Sequence, residues 1–224
     1  VKKADASRIY GLELEHILSP HNMNFLVYKD TLIEEHISGI PGDDFIKEFL
    51  PKCTESEKSQ IAKEFVKFKE RCLVRLLGDM RSYNYVIIPT HDFDKIIYKI
   101  RAIDFDQQSF EGNLKVYNLQ FLKENFKIVE MVNRKLDNNS INQYKLEERS
   151  FMAKRMISSP RRASSLIECM KNDSISFDNN IQLLKKQLIK YVGDVKFKEC
   201  QNMGDILETI LVFVKRNYQD VLTK

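Results

Sequence analysis

No uninterrupted apolar run among the 224 residues approaches the ~20 needed to span a bilayer, and the opening VKKADASRIY has no apolar stretch of the kind that makes a secretory signal. A cytoplasmic protein without a membrane partner is therefore expected. Cysteine is scarce and scattered. Cys53, Cys72, Cys169 and Cys200 form no Cys-x-x-Cys and have no His pair beside them, which argues against zinc and makes buried thiols the expectation. An excess of one charge is missing too: 36 Lys and Arg stand against 32 Asp and Glu, a net of +4 with the signs mixed, too little for a dedicated nucleic-acid binder. What remains is ordinary for a globular protein. With 43% apolar and 30% charged residues the chain can bury a sizeable core, as one large domain or two small ones. It begins with Val instead of Met and so reads as a fragment.

Hydrophobic periodicity divides the chain into a mixed front and a helical back. Ile9, Leu12, Leu14 and Ile17 predict a helix over residues 4–18, ended by Pro20. Phe25–Tyr28 and Thr31–Glu34, rich in strand formers and separated by Lys29-Asp30, predict a tight hairpin. Ser38-Gly-Ile-Pro-Gly42 sets two of the seven glycines around a proline and reads as a connector between a unit at 1–38 and a larger one at 39–224. Asp43 or Asp44 should then cap a short helix over 45–49 that Pro51 ends. Thr54-Glu-Ser-Glu57 has the spacing of a capping box, after which Ile61, Phe65, Phe68, Cys72, Val74, Leu76 and Leu77 continue at helical spacing up to Gly78. Tyr85–Ile88 and Ile96–Ile103 predict a second hairpin, joined by a turn over Pro89–Asp94. After Gly112, helices are expected over 119–136, 145–157, 164–171, 179–191 and 203–221, with Asp137–Asn142 as a polar loop. The expected fold class is α+β.

Polar residues gather at the two outer ends of the second hairpin. Gly78-Asp79-Met-Arg-Ser-Tyr-Asn84 leaves the long helix and enters one strand, and Ile103-Asp104-Phe105-Asp106 follows the other. Antiparallel pairing brings those ends together, so Asn84 and Asp104 should be neighbours with Asp79 on the loop beside them. Carboxylate and amide oxygens gathered in this way are the protein's share of a site for a hard divalent cation such as Mg²⁺. Other polar groups are read more plainly. His91-Asp-Phe-Asp94 has the look of a metal triad but falls at a hairpin tip, where exposed turn residues are expected. Lys154, Arg155, Arg161 and Arg162 read as a solvated loop between helices, and Phe121, Phe126 and Phe213 as core.

Gly-Asp-x-x-x-x-Asn, a hairpin and then Ile-Asp-Phe-Asp resembles the catalytic and metal-binding loops of the protein-kinase-like phosphotransferases. The final acidic residue is similar to the aminoglycoside and choline kinase branch. Ser19-Pro-His-Asn22 resembles the turn before the fourth strand of that fold, and Leu32–Gly42 its fifth strand running into the hinge between lobes; the match in order spans residues 5–112. The resemblance implies a partial small N-terminal lobe and a mainly helical C-terminal lobe with an inserted catalytic hairpin. It implies Asp79 as catalytic base, Asn84 and Asp104 as Mg²⁺ ligands, and Asp106 as a further carboxylate on the metal. It implies that Glu34, Glu35, His36 and Ile37 meet the adenine of ATP, and that Glu13 or Glu15 is the helix Glu that pairs with a strand lysine.

The activity so implied is transfer of the ATP γ-phosphoryl group to a hydroxyl. Neither a Gly-rich segment nor Ala-Pro-Glu follows Asp106, which favours a small-molecule acceptor over a protein. One departure stands out: no Gly-x-Gly-x-x-Gly occurs, since the seven glycines lie at 11, 39, 42, 78, 112, 193 and 204. The phosphate-covering loop, the first three strands and the ATP-gripping lysine are therefore expected in a segment ahead of Val1. The alternative is a kinase-like module that has lost transfer and serves in binding or regulation.

Overall fold

Asp5 is extended, and its carboxylate accepts the Arg8 N–H at 2.9 Å, satisfying one of the donors that a helix start leaves open. The helix it caps, α1 (Ala6–Leu18), has 13 residues, a length that is marginal in water on its own. Packing holds it in place. Leu12, Leu14, Ile17 and Leu18 are buried, which stabilises by ~6–12 kcal/mol as an upper bound for four such side chains. The structure, a computed structural model, describes residues 1–93 and 95–222.

Strands β1 (Lys2–Lys3), β2 (Phe25–Tyr28) and β3 (Thr31–Glu34) form an antiparallel sheet in the order β1-β3-β2, with Lys2 opposite Leu32 and Phe25 opposite Glu34. The connector is more ordered than expected. Its Ile40–Pro41 is a short strand, β4, paired with Ile87 and Val86. Gly42 is required beside it, because a Cβ there would strike the Tyr85 ring and the Ser82 carbonyl. Helix α2 (Gly42–Asp44) begins before either aspartate, so neither caps it; both lie in its first turn, where their charge favours the helix start. It widens into a π turn at Phe45–Phe49 and a 3₁₀ turn at Leu50–Lys52.

The Thr54 hydroxyl accepts the Glu57 N–H at 3.3 Å while the Glu57 carboxylate accepts the Thr54 N–H at 2.7 Å, the reciprocal bonds of a capping box. Helix α3 (Glu55–Val74) follows and stops short of Leu77, because Leu76 turns left-handed at φ 56°. Strands β5 (Tyr85–Asp92) and β6 (Lys95–Ala102) pair from Tyr85 opposite Ala102 to Asp92 opposite Lys95, and β4 completes a sheet in the order β4-β5-β6. The expected turn over Pro89–Asp94 thus contracts to its tip. Pro89 is tolerated within β5 because β4 reaches only Val86 and Ile87, leaving that edge open where a proline lacks its N–H.

Five helices follow: α4 (Phe126–Lys135), α5 (Asn138–Ser158), α6 (Pro160–Lys171), α7 (Asp178–Val192) and α8 (Met203–Leu222). Residues 114–125 form three short 3₁₀ turns instead of the expected start of a helix at 119. These turns leave Phe121 and Phe126 about half exposed, not in the core. The expected loop Asp137–Asn142 is instead a helix start, since Asp137 accepts the Ser140 N–H at 2.7 Å and caps α5. Cys72 and Cys200 are buried as expected, whereas Cys169 is exposed.

Two apolar clusters hold these elements together. One gathers α3, α4 and the β5–β6 hairpin with Leu12, Met23, Leu32 and Ile37; the other sets Leu14, Ile17 and Leu18 among α5, α6, α7 and α8. Both clusters take residues from either side of the connector, so α1 is packed into the helical body. Among the described residues no helix is long and apolar enough to cross a membrane.

Candidate active site

The loop leaving α3 is held by single hydrogen bonds to the segment that follows β6. Ser109 N–H donates to the Leu76 carbonyl at 2.8 Å, Gly78 N–H to Gln107 at 3.1 Å and Asp79 N–H to Val116 at 3.2 Å. Leu76, Asp79 and Ser109 all have positive φ, at 56°, 54° and 52°, each a cost of ~1–2 kcal/mol for a residue with a Cβ. The other such residues, Lys29 and Phe93, lie at the tips of the two hairpins. Strain concentrated at one place persists only where the surroundings over-determine it. Two buried amides do this. Gln108 Nε2 donates to the Arg75 and Leu76 carbonyls. Asn125 donates to Met80 at 3.0 Å and Leu119 at 3.1 Å, and accepts the Tyr85 hydroxyl at 3.0 Å. Neither amide is marked in the sequence beyond being polar, and their importance shows only through what they bond.

Asn84 ties the outer ends of the hairpin together. Its Nδ2 donates to the Asp79 carbonyl at 2.8 Å, and its own carbonyl accepts the Ile103 N–H at 3.0 Å. Asp104 comes next, its Oδ1 accepting the Phe105 N–H at 3.0 Å. Phe105 is fully buried and fixes the acids on either side of it. A Cβ on Gly11 of α1 would come within 2.8 Å of the Phe105 Cβ, and the Arg75 guanidinium lies 5.6 Å from its ring.

Each of the three acids has a basic neighbour. Arg81 Nε donates to Asp79 at 2.7 Å and reaches on to Glu124 at 3.3 Å. Arg8 lies 3.5 Å from Asp106. Lys2 lies 3.7 Å from Asp104. Burial and then the Asp104 charge push the Asp106 carboxyl above its ordinary range, with Arg8 opposing and Asp79 adding a smaller push. Asp106 thus feels the charges of both Asp104 and Asp79.

Lys2 is the residue that sequence reasoning missed. It lies on β1, close to the end of β6. Its ammonium lies 3.0 Å from Glu34 and 3.4 Å from the Ile103 carbonyl, as well as beside Asp104. The only signal was Val-Lys-Lys ahead of a helix, and a two-residue strand shows no periodicity. Neither Glu13 nor Glu15 pairs with this lysine. Glu13 binds Arg162 at 2.7 Å. Glu15 is buried against Arg75, because that face of α1 looks into the helices. Burial opposes ionisation of Glu15, but Arg75, the Ser19 hydroxyl and Arg71 together hold it below the ordinary carboxylate range.

The basic stretch is likewise no solvated loop. Arg155 donates to the His16 carbonyl at 2.7 Å and the Ile17 carbonyl at 2.9 Å, capping the end of α1. Of Glu34, Glu35, His36 and Ile37, Glu34 reaches the site through Lys2, and its buried Oε1 has no partner among the described residues. Glu35 is committed to Asn24, donating its N–H at 2.9 Å and accepting the Asn24 N–H at 3.0 Å. His36 is exposed and Ile37 buried. His91 and Asp92 are exposed, and Asp94 lies outside the described residues.

Among the described residues no group of three His, Cys, Asp or Glu side chains is placed to hold a metal ion unaided. What the loop offers is two carboxylates and an amide oxygen, all hard donors. A groove of about 650 Å³ between α5 and α8 is lined by none of these residues and presents mainly Leu146, Phe151, Val214 and Tyr218 with polar neighbours. Comparison with protein-family models, with curated proteins and with solved structures gives no match.

Proposed function

We propose that this chain is a kinase-like phosphotransferase that moves the ATP γ-phosphoryl group to a hydroxyl of a small-molecule acceptor. The observation that carries the reading is Asn84, whose two hydrogen bonds join the Asp79 loop to the strand end that bears Asp104. In this reading Asp79 orients the acceptor hydroxyl and takes its proton as the new O–P bond forms and the bond to ADP breaks. Asn84 Oδ1, Asp104 and Asp106 hold Mg²⁺, which takes one or two carboxylates with phosphate oxygens and would neutralise charge on the phosphates. In this reading Lys2 and Arg81 supply positive charge for the phosphate oxygens, and the neighbourhood of Glu34 to Ile37 would face the base. The segment after Asp106 is stitched to Leu76 and Gly78 through Ser109 and Gln107, which favours a small acceptor over a protein docked on an extended segment.

A second reading, a non-catalytic binding module, draws on one feature: the Asp79 carboxylate is already engaged by Arg81. Assay of Mg²⁺-dependent ADP release with a panel of hydroxyl acceptors separates the two. Asp79→Ala should lower the rate ~10²–10⁴-fold with nucleotide affinity retained, whereas Asp104→Asn should remove the Mg²⁺ dependence of nucleotide binding. Nucleotide binding without turnover would favour the module, and variants that bind and turn over like the parent would dismiss both readings.

A further inference from the structure

We propose that the cleft between α3, β6 and α5 is a second binding site, for a small organic anion that carries an apolar body. None of Asp79, Asn84, Asp104 or Asp106 lines it, so it is independent of the site at the Asp79 loop. Gln60, Lys63, Glu64, Lys67 and Arg71 recur at helical spacing along α3 and so share one face of it. Pro20 and His21, Ile97 and Lys99 of β6, and Phe151 of α5 continue the lining around about 430 Å³. That is the size of a pocket for a small molecule, more than an inorganic ion fills.

The acids of this cleft are engaged, whereas several of its donors are not. Arg71 binds Glu148 at 2.9 Å and Glu64 at 3.4 Å, and Lys67 binds Glu147 at 2.8 Å. Lys63 reaches Glu147 only at 4.0 Å. The Gln60 oxygen accepts the Tyr98 N–H at 3.2 Å, and its amide nitrogen, the Lys99 ammonium and the His21 ring have no partner among the described residues. Charge points the same way. With every lining carboxylate counted as ionised and His21 as neutral, four cations face three anions. The charges next behind them, Arg75 and Arg101 against Glu15 and Glu57, cancel and leave the positive excess in place. His21 feels that field: after burial, Arg71 and Arg101 lower its ring to about 4 against a smaller opposing push from Glu15. A head group that only accepts hydrogen bonds can therefore take them from Lys99, Gln60 and His21, while Pro20, Ile97 and Phe151 receive the apolar body.

NMR titration of the intact chain, reading the His21 ring signals assigned with His21→Gln, tests this with phenyl phosphate and benzoate as probes. At least one of the two should shift those signals saturably, and the tighter of them names the head group. Benzylammonium, of similar size and opposite charge, should not bind. Lys99→Gln should weaken the tighter probe about fivefold, the scale of one exposed charge, and Glu147→Gln should tighten it by about as much, since Lys63 and Lys67 are released. Opposite shifts from two variants cannot come from a general loss of fold. The proposal fails if neither anion moves the His21 signals, if benzylammonium binds as well as they do, or if both variants match the parent. Inorganic phosphate bound as tightly as phenyl phosphate would overturn the part given to the apolar walls, and with it the assignment to an organic anion.

Discussion

Replacing Glu15 by Ala removes the carboxylate from a pair that is almost wholly shielded from water. Arg75 is 1% exposed, its Nε has no partner among the described residues, and Glu15 is its carboxylate partner. Leaving that guanidinium buried without its counter-charge should cost ~3–5 kcal/mol, a large part of the ~5–15 kcal/mol that holds a typical domain together. At ~2–4 °C per kcal/mol for a chain of this size, the melting temperature should fall by ~6–20 °C. Urea and thermal denaturation at pH 7 would measure it. The double variant Glu15→Leu with Arg75→Leu should recover most of the loss, since a well-packed apolar pair often matches a buried ion pair. Acid provides a second check. The folded state holds Glu15 below the ordinary carboxylate range, so its contribution is present above ~4.3, the unfolded value, and fades as pH falls through the folded one. Glu15→Ala should therefore show a flatter acid limb. A loss below ~1 kcal/mol, or a double variant as unstable as the two single losses added, would refute the account.

Two other perturbations act elsewhere. Burial, then the charges of Arg71 and Arg101, lower His21 to about 4, so the parent should lose stability as pH falls from ~6.5, the unfolded value, to about 4. Allowing for partial exposure the loss is on the order of 1–2 kcal/mol, and His21→Gln should abolish that part of the pH dependence in urea titrations; an unchanged slope would count against it. Thr54→Ala removes the hydroxyl half of the capping box and should destabilise by ~1 kcal/mol, read as a shift in urea midpoint with unchanged slope; no shift would mean that α3 does not depend on its cap.

Much of this arrangement was legible because it depends on local chemistry. Phe25–Tyr28 and Thr31–Glu34 carry their strand preference in their own side chains, and the Thr54–Glu57 box needs only four residues to be recognised. That Asn84 meets the outer end of the returning strand, where its carbonyl accepts the Ile103 N–H, was also readable, since antiparallel pairing of one hairpin decides it. What escaped the sequence depends on partners far away in the chain. Glu15 resembles any helix-surface acid until Arg75 is placed against it, and Arg155 resembles a solvated residue until the end of α1 is placed beneath it. Lys2 lies on a strand of two residues that exists only because β3 is there to receive it. Asp137–Asn142 misled for the opposite reason: a polar, exposed first turn of a helix has the composition of a loop, and only the bond from Ser140 N–H to Asp137 separates them.

The central claim, that the Asp79 loop and the end of β6 form one cation and phosphate site, is tested most directly by anomalous scattering from crystals grown with Mn²⁺ and a non-hydrolysable ATP analogue. A manganese peak bonded at ~2.0–2.6 Å to oxygens of Asp104 and Asn84 is expected, with phosphate oxygens completing the shell. Nucleotide and metal bound at another place, with Asp104 and Asn84 coordinating nothing, would contradict it.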